Sequence, residues 1–296
     1  MKNKSPIILN CFSRGGSNIL WNLFLSHPNV CHPLEETIQI FNTSLRAPRF
    51  AGYKINFMTR QNLFNQWNLK DRRTIGKKSS EYIDNVLFNK KLNNVFDKDM
   101  QYKDSLNKYS LDEIRNTRLV IKNNNGLIFC SEVFNHIYPD ATFVALIRNP
   151  IALYESHKRR KTPVSNSINF FIDFYKKMIA KMKIDQDSIA NYHIIRFEDI
   201  INNPIRMIKT IYKWAHLDFE SVDKIRLKSK ASMNKKGVRT TKFTENKHYW
   251  FSLSELETII NKNVNENQIS RLDNQEIDYL LKDLEPLVSE FGYTIG

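Results

Sequence analysis

A chain of 296 residues, 41% hydrophobic and 26% charged, is long enough for one sizeable core and too apolar to be disordered throughout. Lysine and arginine outnumber aspartate and glutamate 45 to 31, and the formal charge of +14 favours anionic partners: phosphorylated cofactors, nucleic acid, acidic polysaccharide or an anionic membrane surface. Three widely spaced cysteines without a CxxC argue against a disulfide framework or a zinc site, and no apolar run reaches the length of a membrane span. The apolar run behind the basic N-terminus is too short for a secretory leader, so the expectation is a soluble, cytoplasmic protein.

In chain order, Pro6–Phe12 reads as a buried strand, Ser13–Ser17 as a glycine turn and Ile19–Leu25 as a helix. Short apolar runs at Gly52–Phe57, Leu119–Ile121, Thr142–Ile147 and His193–Phe197 predict further strands. Patterning at Pro150–Arg159, Ser165–Lys183, Asn203–Ala215 and Asn274–Phe291 predicts helices, and Pro150 falls in a first turn where a missing N–H costs nothing. Residues 60–115 are polar, rich in Asn and Lys, and predict a helical insertion without a motif. Ser229–His248 is basic, holds one glycine and lacks periodicity, which predicts a long loop. Strands alternating with helices predict a single α/β domain over residues 1–296, with a central parallel sheet flanked by helices.

The turn after the first strand is the strongest local signal. Gly15 and Gly16 let the backbone approach a ligand and point successive N–H groups inward, and the next helix presents an anion-attracting N-terminus. Arg14 adds a permanent charge, while Ser17 and Asn18 add side-chain hydrogen bonds. The loop is too short for a Walker A motif, and on its own could be an ordinary capped turn. A second strand delivers Arg148 at its C-terminal end, where parallel sheets bind ligands, and Ser156 follows two turns into the next helix. An arginine and a hydroxyl so placed could share a phosphate; each could equally be a surface group. A third strand ends in Glu198 and Asp199, read as capping and hydrogen-bonding groups. His157 and His193 are read as structural.

Taken in order, these segments resemble the sulfotransferase family that uses 3′-phosphoadenosine-5′-phosphosulfate (PAPS). Ser13-Arg-Gly-Gly-Ser-Asn18 looks like its 5′-phosphosulfate loop. Ile147-Arg-Asn-Pro through Ser156 looks like its 3′-phosphate strand and helix, and Ile195-Arg-Phe-Glu-Asp-Ile200 with Asn203-Pro204 resembles a third family element. Lys235-Lys-Gly237, with Arg239 nearby, resembles the late basic loop that closes on the 3′-phosphate. The resemblance runs from Pro6 to Tyr293, with residues 60–115 unaccounted for. Gly15 stands where serine is usual, Arg14 where some branches use lysine, and Phe197 where tyrosine is usual. The tyrosylprotein branch gives a closer local match: His27-Pro-Asn-Val30 leads to Glu35-Glu36-Thr37, and a glutamate of that pair is the branch's base.

The resemblance implies a P-loop-like, three-layer fold and sulfuryl transfer from PAPS to a hydroxyl or amine, with release of 3′,5′-adenosine bisphosphate (PAP). Glu36 is expected to be the base ahead of Glu35, which could both be merely an acidic first helical turn. Arg14 and Lys122 are expected to stabilise developing charge; Lys122 could also be a solvated strand-end lysine, and Lys54 either faces the cleft or snorkels. Cofactor contacts are expected from Arg14, Gly15, Gly16, Ser17, Asn18, Arg148, Ser156, Lys235, Lys236, Gly237 and Arg239, with no metal. The acceptor stays open among glycans, peptide tyrosine and small hydroxyl compounds, with no nucleic acid expected. The alternatives are a kinase-like phosphotransferase with a degenerate loop and a non-catalytic polyanion-binding module.

Overall fold

The computed structural model describes residues 1–43, 76–96, 109–228 and 247–293, with the side chains of 41–43 and 96 excepted. Five strands, β1 (Ile7–Cys11), β2 (Val30–Cys31), β3 (Arg118–Asn124), β4 (Thr142–Ile147) and β5 (Tyr192–Arg196), form one parallel sheet in the order β2-β3-β1-β4-β5. Every residue of β1 and β4 is buried, as expected for strands covered on both faces.

The two-residue period of a strand sorts these side chains into two cores. Ile8, Phe143, Ala145 and Ile147 face one core, completed by α5 (Ser131–Ile137), α7 (Ile168–Ser188) and α12 (Asn274–Glu290). Ile7, Leu9, Cys11, Val144 and Leu146 face the other, completed by α1 (Ser17–Leu25) and α9 (Pro204–Trp214). The predicted three-layer α/β arrangement is therefore present. The remaining helices are α2 (Thr37–Thr43), α3 (Lys77–Leu92), α4 (Leu111–Asn116), α6 (Pro150–Arg159), α8 (Phe197–Asn202), α10 (Leu253–Ile259) and α11 (Glu266–Ile269).

Local chemistry sets the helix ends. Asn149 caps α6 by accepting from the Ile151 and Ala152 N–H groups, with Pro150 at the first helical position. Ser167 caps α7 by accepting from Phe170 N–H, so that helix starts three residues later than Ser165 and runs on to Ser188. Pro204 separates α8 from α9.

Two expectations change. Strand β3 extends to Asn124, so Lys122 lies within a strand rather than after it. The predicted loop ends earlier than His248, because β6 (Lys224–Lys228) and β7 (His248–Ser252) pair antiparallel as a separate ribbon. Within residues 60–115, the described parts are α3, a short 3-10 turn and most of α4. The predicted strand Gly52–Phe57 with Lys54, and the basic residues Lys235, Lys236, Gly237 and Arg239, lie outside the described residues.

His193 stacks on Trp214 with ring centroids 4.1 Å apart and lies 2.8 Å from Asn191 Oδ1. His157 is buried, 2.7 Å from Thr162 Oγ1, and burial pulls its imidazole down to about 4. All three cysteines are buried, and none is in a disulfide. No described helix is long and apolar enough to cross a membrane.

Candidate functional site

Parallel pairing brings the C-terminal ends of β3, β1, β4 and β5 to one edge. Cys11 is in register with Asn124 on one side and Leu146 on the other, and Ile147 with Arg196. The glycine loop, Asn124, Arg148 and Phe197 therefore gather where ligands of such sheets bind.

Between β1 and α1 the chain turns sharply. Gly15 N–H donates to Phe12 O at 3.0 Å, and Ser13 N–H donates to Asn125 Oδ1 at 2.8 Å. Asn125 Nδ2 returns to Ser13 Oγ at 2.9 Å, tying the loop to the end of β3. Gly16 has φ +94°, the left-handed region, and its carbonyl accepts from Ile19 and Leu20. A Cβ at Gly16 would lie 2.2 Å from Phe197 Cδ2. A Cβ at Gly15 would meet Phe12 Cβ and O at 3.0 Å, a tight contact. The Gly16, Ser17 and Asn18 N–H groups make no hydrogen bond within the described residues, leaving an uncapped helix N-terminus aligned with the loop.

Positive charge surrounds this turn. Burial, and then Arg160 and Arg159, lower the pKa of the Arg14 guanidinium, and the buried Arg14 Nε has no hydrogen-bond partner among the described residues. Arg148 Nη1 donates to the Arg14 carbonyl at 2.9 Å. Its other contacts are with Asn265 Oδ1, at 2.9 and 2.7 Å, and Gln268 Oε1, at 2.7 Å. The guanidinium lies 4.6 Å from the Phe197 ring centroid, and burial lowers its pKa to about 10. Arg148 therefore holds the loop and the α11 segment together. Ser156 is buried on α6 and makes no hydrogen bond to Arg148.

Glu198 serves the same frame, accepting from Asn149 N–H at 3.0 Å and Tyr293 OH at 2.9 Å. Asp199 accepts two bonds from Arg196 at 2.6 and 3.0 Å. Both carboxylates thus do the bonding expected of them at a strand–helix junction.

The adjacent carboxylates Glu35 and Glu36 part company. Glu35 pairs with Lys90 of α3 at 2.8 Å. The backbone of Glu36 starts α2: its carbonyl accepts from Gln39 and Ile40, and its N–H donates to Gln39 Oε1. This leaves the Glu36 side chain to meet Lys122 Nζ at 2.7 Å and Asn124 Nδ2 at 2.8 Å. Lys122 also donates to Asn18 Oδ1 at 2.6 Å and lies 4.2 Å from the Trp21 ring centroid. Its side chain is only 1% exposed, and burial lowers its pKa against the raising effect of Glu36. Thr37 Oγ1 donates to the Lys122 carbonyl at 3.0 Å, fixing α2 against β3.

Two clefts meet at Asn18. One, about 200 Å³, is lined largely by apolar side chains, including Ile19, Phe197, Ile201, Leu227, Ile260 and Val264. The other, about 280 Å³, is more polar and has Glu36, Trp21, His32, Arg226, Lys228 and His248 among its walls.

The structure thus gathers Arg14, Gly15, Gly16, Ser17, Asn18, Lys122, Arg148 and Glu36. Sequence reasoning missed Asn124, Asn125, Asn265 and Gln268, for which spacing carries no signal. It also missed the ribbon residues Arg226 and His248, although the alternation Lys224-Ile-Arg-Leu-Lys228 was a strand signal.

Among solved structures, the sulfotransferase domain of the Synechococcus PCC 7002 olefin synthase is similar at 15% identity and TM-score 0.48, covering 100% of this chain and 98% of that one. Sulfotransferase STF9 from Mycobacterium avium is 9% identical at TM-score 0.47, with 99% and 78% covered. A sulfotransferase from Alicyclobacillus acidocaldarius is 12% identical at TM-score 0.45, with 98% and 97% covered. No curated protein matches the chain. A model of the sulfotransferase family matches residues 6–221, well over half the sequence and all five strands of the sheet, and the chain belongs to that family.

Proposed function

We propose that this protein transfers a sulfuryl group from PAPS to a hydroxyl or amine, releasing PAP. The observation that carries the reading is the cradle: N–H groups of Gly16, Ser17 and Asn18 without a hydrogen bond among the described residues, next to Arg14 and the Arg148 that holds its carbonyl, beside a lysine–glutamate pair. The residues fit the donor. The cradle admits no Cβ at Gly16, and the buried Arg14 Nε makes no hydrogen bond among the described residues.

Bound PAPS supplies an activated sulfuryl group: the acceptor attacks sulfur in line, the sulfur–oxygen bond to the 5′-phosphate breaks, and its electron pair leaves with PAP. The loop N–H groups, Arg14 and Lys122 would offset the negative charge growing on the leaving oxygen. Glu36 would take the proton from the acceptor as it attacks. Lys122 ties these roles together, since the ammonium that neutralises Glu36 also reaches Asn18 of the cradle. The apolar cleft beside Ile19 and Phe197 is the place for an adenine ring. Arg148 holds the Arg14 carbonyl in place; a direct bond to the 3′-phosphate would require displacing Asn265. Ser156, Lys235, Lys236, Gly237 and Arg239 complete the proposed 3′-phosphate side.

The test is a thermal-shift and calorimetric comparison of PAP, ADP and ATP with Mg²⁺, followed by PAPS turnover on an acceptor panel. PAP should stabilise the protein far more than ADP or ATP. A larger shift with ATP and Mg²⁺ would instead support phosphoryl transfer, and salt-sensitive polyanion binding indifferent to PAP would support a non-catalytic module.

A further inference from the structure

We infer that the acceptor is an anionic saccharide, bearing a carboxylate, sulfate or phosphate near the reacting hydroxyl, and that the β6–β7 ribbon recognises its charge; this rests on the sulfuryl-transfer reading above. Strand β6 alternates strictly. Ile225 and Leu227 are buried in the core, which places Lys224, Arg226 and Lys228 on the opposite face. Register sets Arg226 against Trp250 and Lys228 against His248, and neither strand of the ribbon contains an acidic residue. At about 3.3 Å per residue, the cationic row is roughly 13 Å long, longer than a single sugar ring.

One end of that row forms a wall of the polar cleft, opposite Glu36 and Trp21. Arg226 is 2% exposed, and its Nη2 lies 3.0 Å from His248 Nε2. Glu36 is the one acidic side chain among the described residues lining this cleft, and Lys122 neutralises it at 2.7 Å. The buried His32 reports the same field. Burial first, then the neighbouring Arg226, His248 and Lys122, hold its imidazole well below the ordinary value. A cleft whose described walls carry net positive charge, next to a cradle for an anionic donor, offsets the repulsion an anionic acceptor would otherwise meet there.

The lining favours a saccharide over a tyrosine-bearing peptide. A phenol needs an apolar slot, and the apolar cleft lies on the other side of Asn18, beside Ile19 and Phe197. Asn18 and Asn22 line both clefts, and the polar one adds the Gln39 carboxamide and the Trp21 indole. Asn22 Oδ1 and Trp21 Nε1 are buried behind its surface and make no hydrogen bond among the described residues. Sugar hydroxyls, which donate and accept at short intervals, suit the carboxamides that line the cleft.

The test pairs charged and neutral oligosaccharides: oligogalacturonate with its methyl ester, and sulfated and phosphorylated oligosaccharides with their unmodified parents. An acidic tyrosine peptide is the outside comparison. Binding to the protein–PAP complex by calorimetry reads recognition without turnover, and PAPS-dependent sulfation reads it with turnover. At least one charged member should bind tenfold or more tightly than its neutral partner and weaken as salt rises. Arg226→Gln should remove most of that preference while PAP affinity stays within twofold. Because Arg226 is buried and its variant could misfold, Lys228→Gln at the exposed end of the row provides a second arm. Failure of PAP to bind would overturn the sulfuryl-transfer reading itself. PAP binding with no charge preference in any pair, or with tightest binding by the peptide, would overturn this inference alone.

Discussion

Gly16 and Phe197 occupy each other's space: a Cβ on the glycine would fall 2.2 Å from Cδ2 of the phenylalanine ring, at a residue whose φ is +94°. The loop that receives the anion is thus braced from behind by the first residue of α8, whose ring also packs against the Arg148 guanidinium at 4.6 Å. Gly16→Ala should lower the melting temperature and weaken PAP binding at least tenfold, since strain and collision act together. Adding Phe197→Ala should relieve the collision but not the dihedral strain, so the double variant should recover only part of the PAP affinity. Calorimetry on both variants and the parent protein checks this. Unchanged PAP affinity in Gly16→Ala would remove the loop from the donor site.

Glu36→Gln should keep PAP affinity and lose turnover by roughly 10²–10⁴-fold, the usual contribution of a general base. The amide keeps one oxygen for Lys122 and turns its NH2 to Asn124, whose carboxamide can flip to accept through Oδ1, so folding should be preserved while the proton acceptor is lost. Glu35→Gln should retain activity within a few-fold, because Glu35 is turned toward Lys90. Steady-state kinetics on an acceptor found by screening would distinguish the two. The reverse ranking would move the base to Glu35.

Arg148→Ala should weaken PAP binding by about 1.5–3 kcal/mol, the range for a hydrogen bond to a charged group. It should also destabilise the fold, because Gln268 and the Arg14 carbonyl would lose their guanidinium partner. Arg148→Lys should recover part of the charge without the forked geometry that reaches Asn265 and Gln268 together. Calorimetry with PAP and urea melts separate the two losses. Full PAP affinity in a folded Arg148→Ala would assign this arginine to architecture alone.

Acid should destabilise the protein partly through His157. Burial lowers its folded pKa from 6.5 to about 4, so the unfolded chain binds more protons between those values. Its contribution is complete above pH 6.5 and declines as pH falls toward 4, by on the order of 3 kcal/mol at 1.36 kcal/mol per unit. His157→Gln, which can keep a bond to Thr162, should flatten the stability–pH curve across that window. Urea melts from pH 4 to 7 provide the measurement. An equally steep curve in the variant would place the acid sensitivity in other groups.

The strand, glycine turn and helix at Ile7–Leu25, the buried β4 and the Pro150 helix were legible in the sequence, because period-2 burial, left-handed glycine and helix capping are all decided within a few residues. Those local rules also placed Arg14, Gly16 and Arg148 at strand ends, and hence at one edge of a parallel sheet. They could not separate Glu35 from Glu36. That choice depends on α3 bringing Lys90 to one carboxylate and on β3 bringing Lys122 to the other, contacts set by packing between distant segments. Asn265 and Gln268 come to Arg148 in the same way, from a short helix with no motif. The cationic face of β6 was written in its alternation, but only its pairing with β7 and packing on α1 turned that face toward Glu36. Side-chain periodicity is a property of one segment, whereas the distance between two side chains depends on the register and packing of every layer between them.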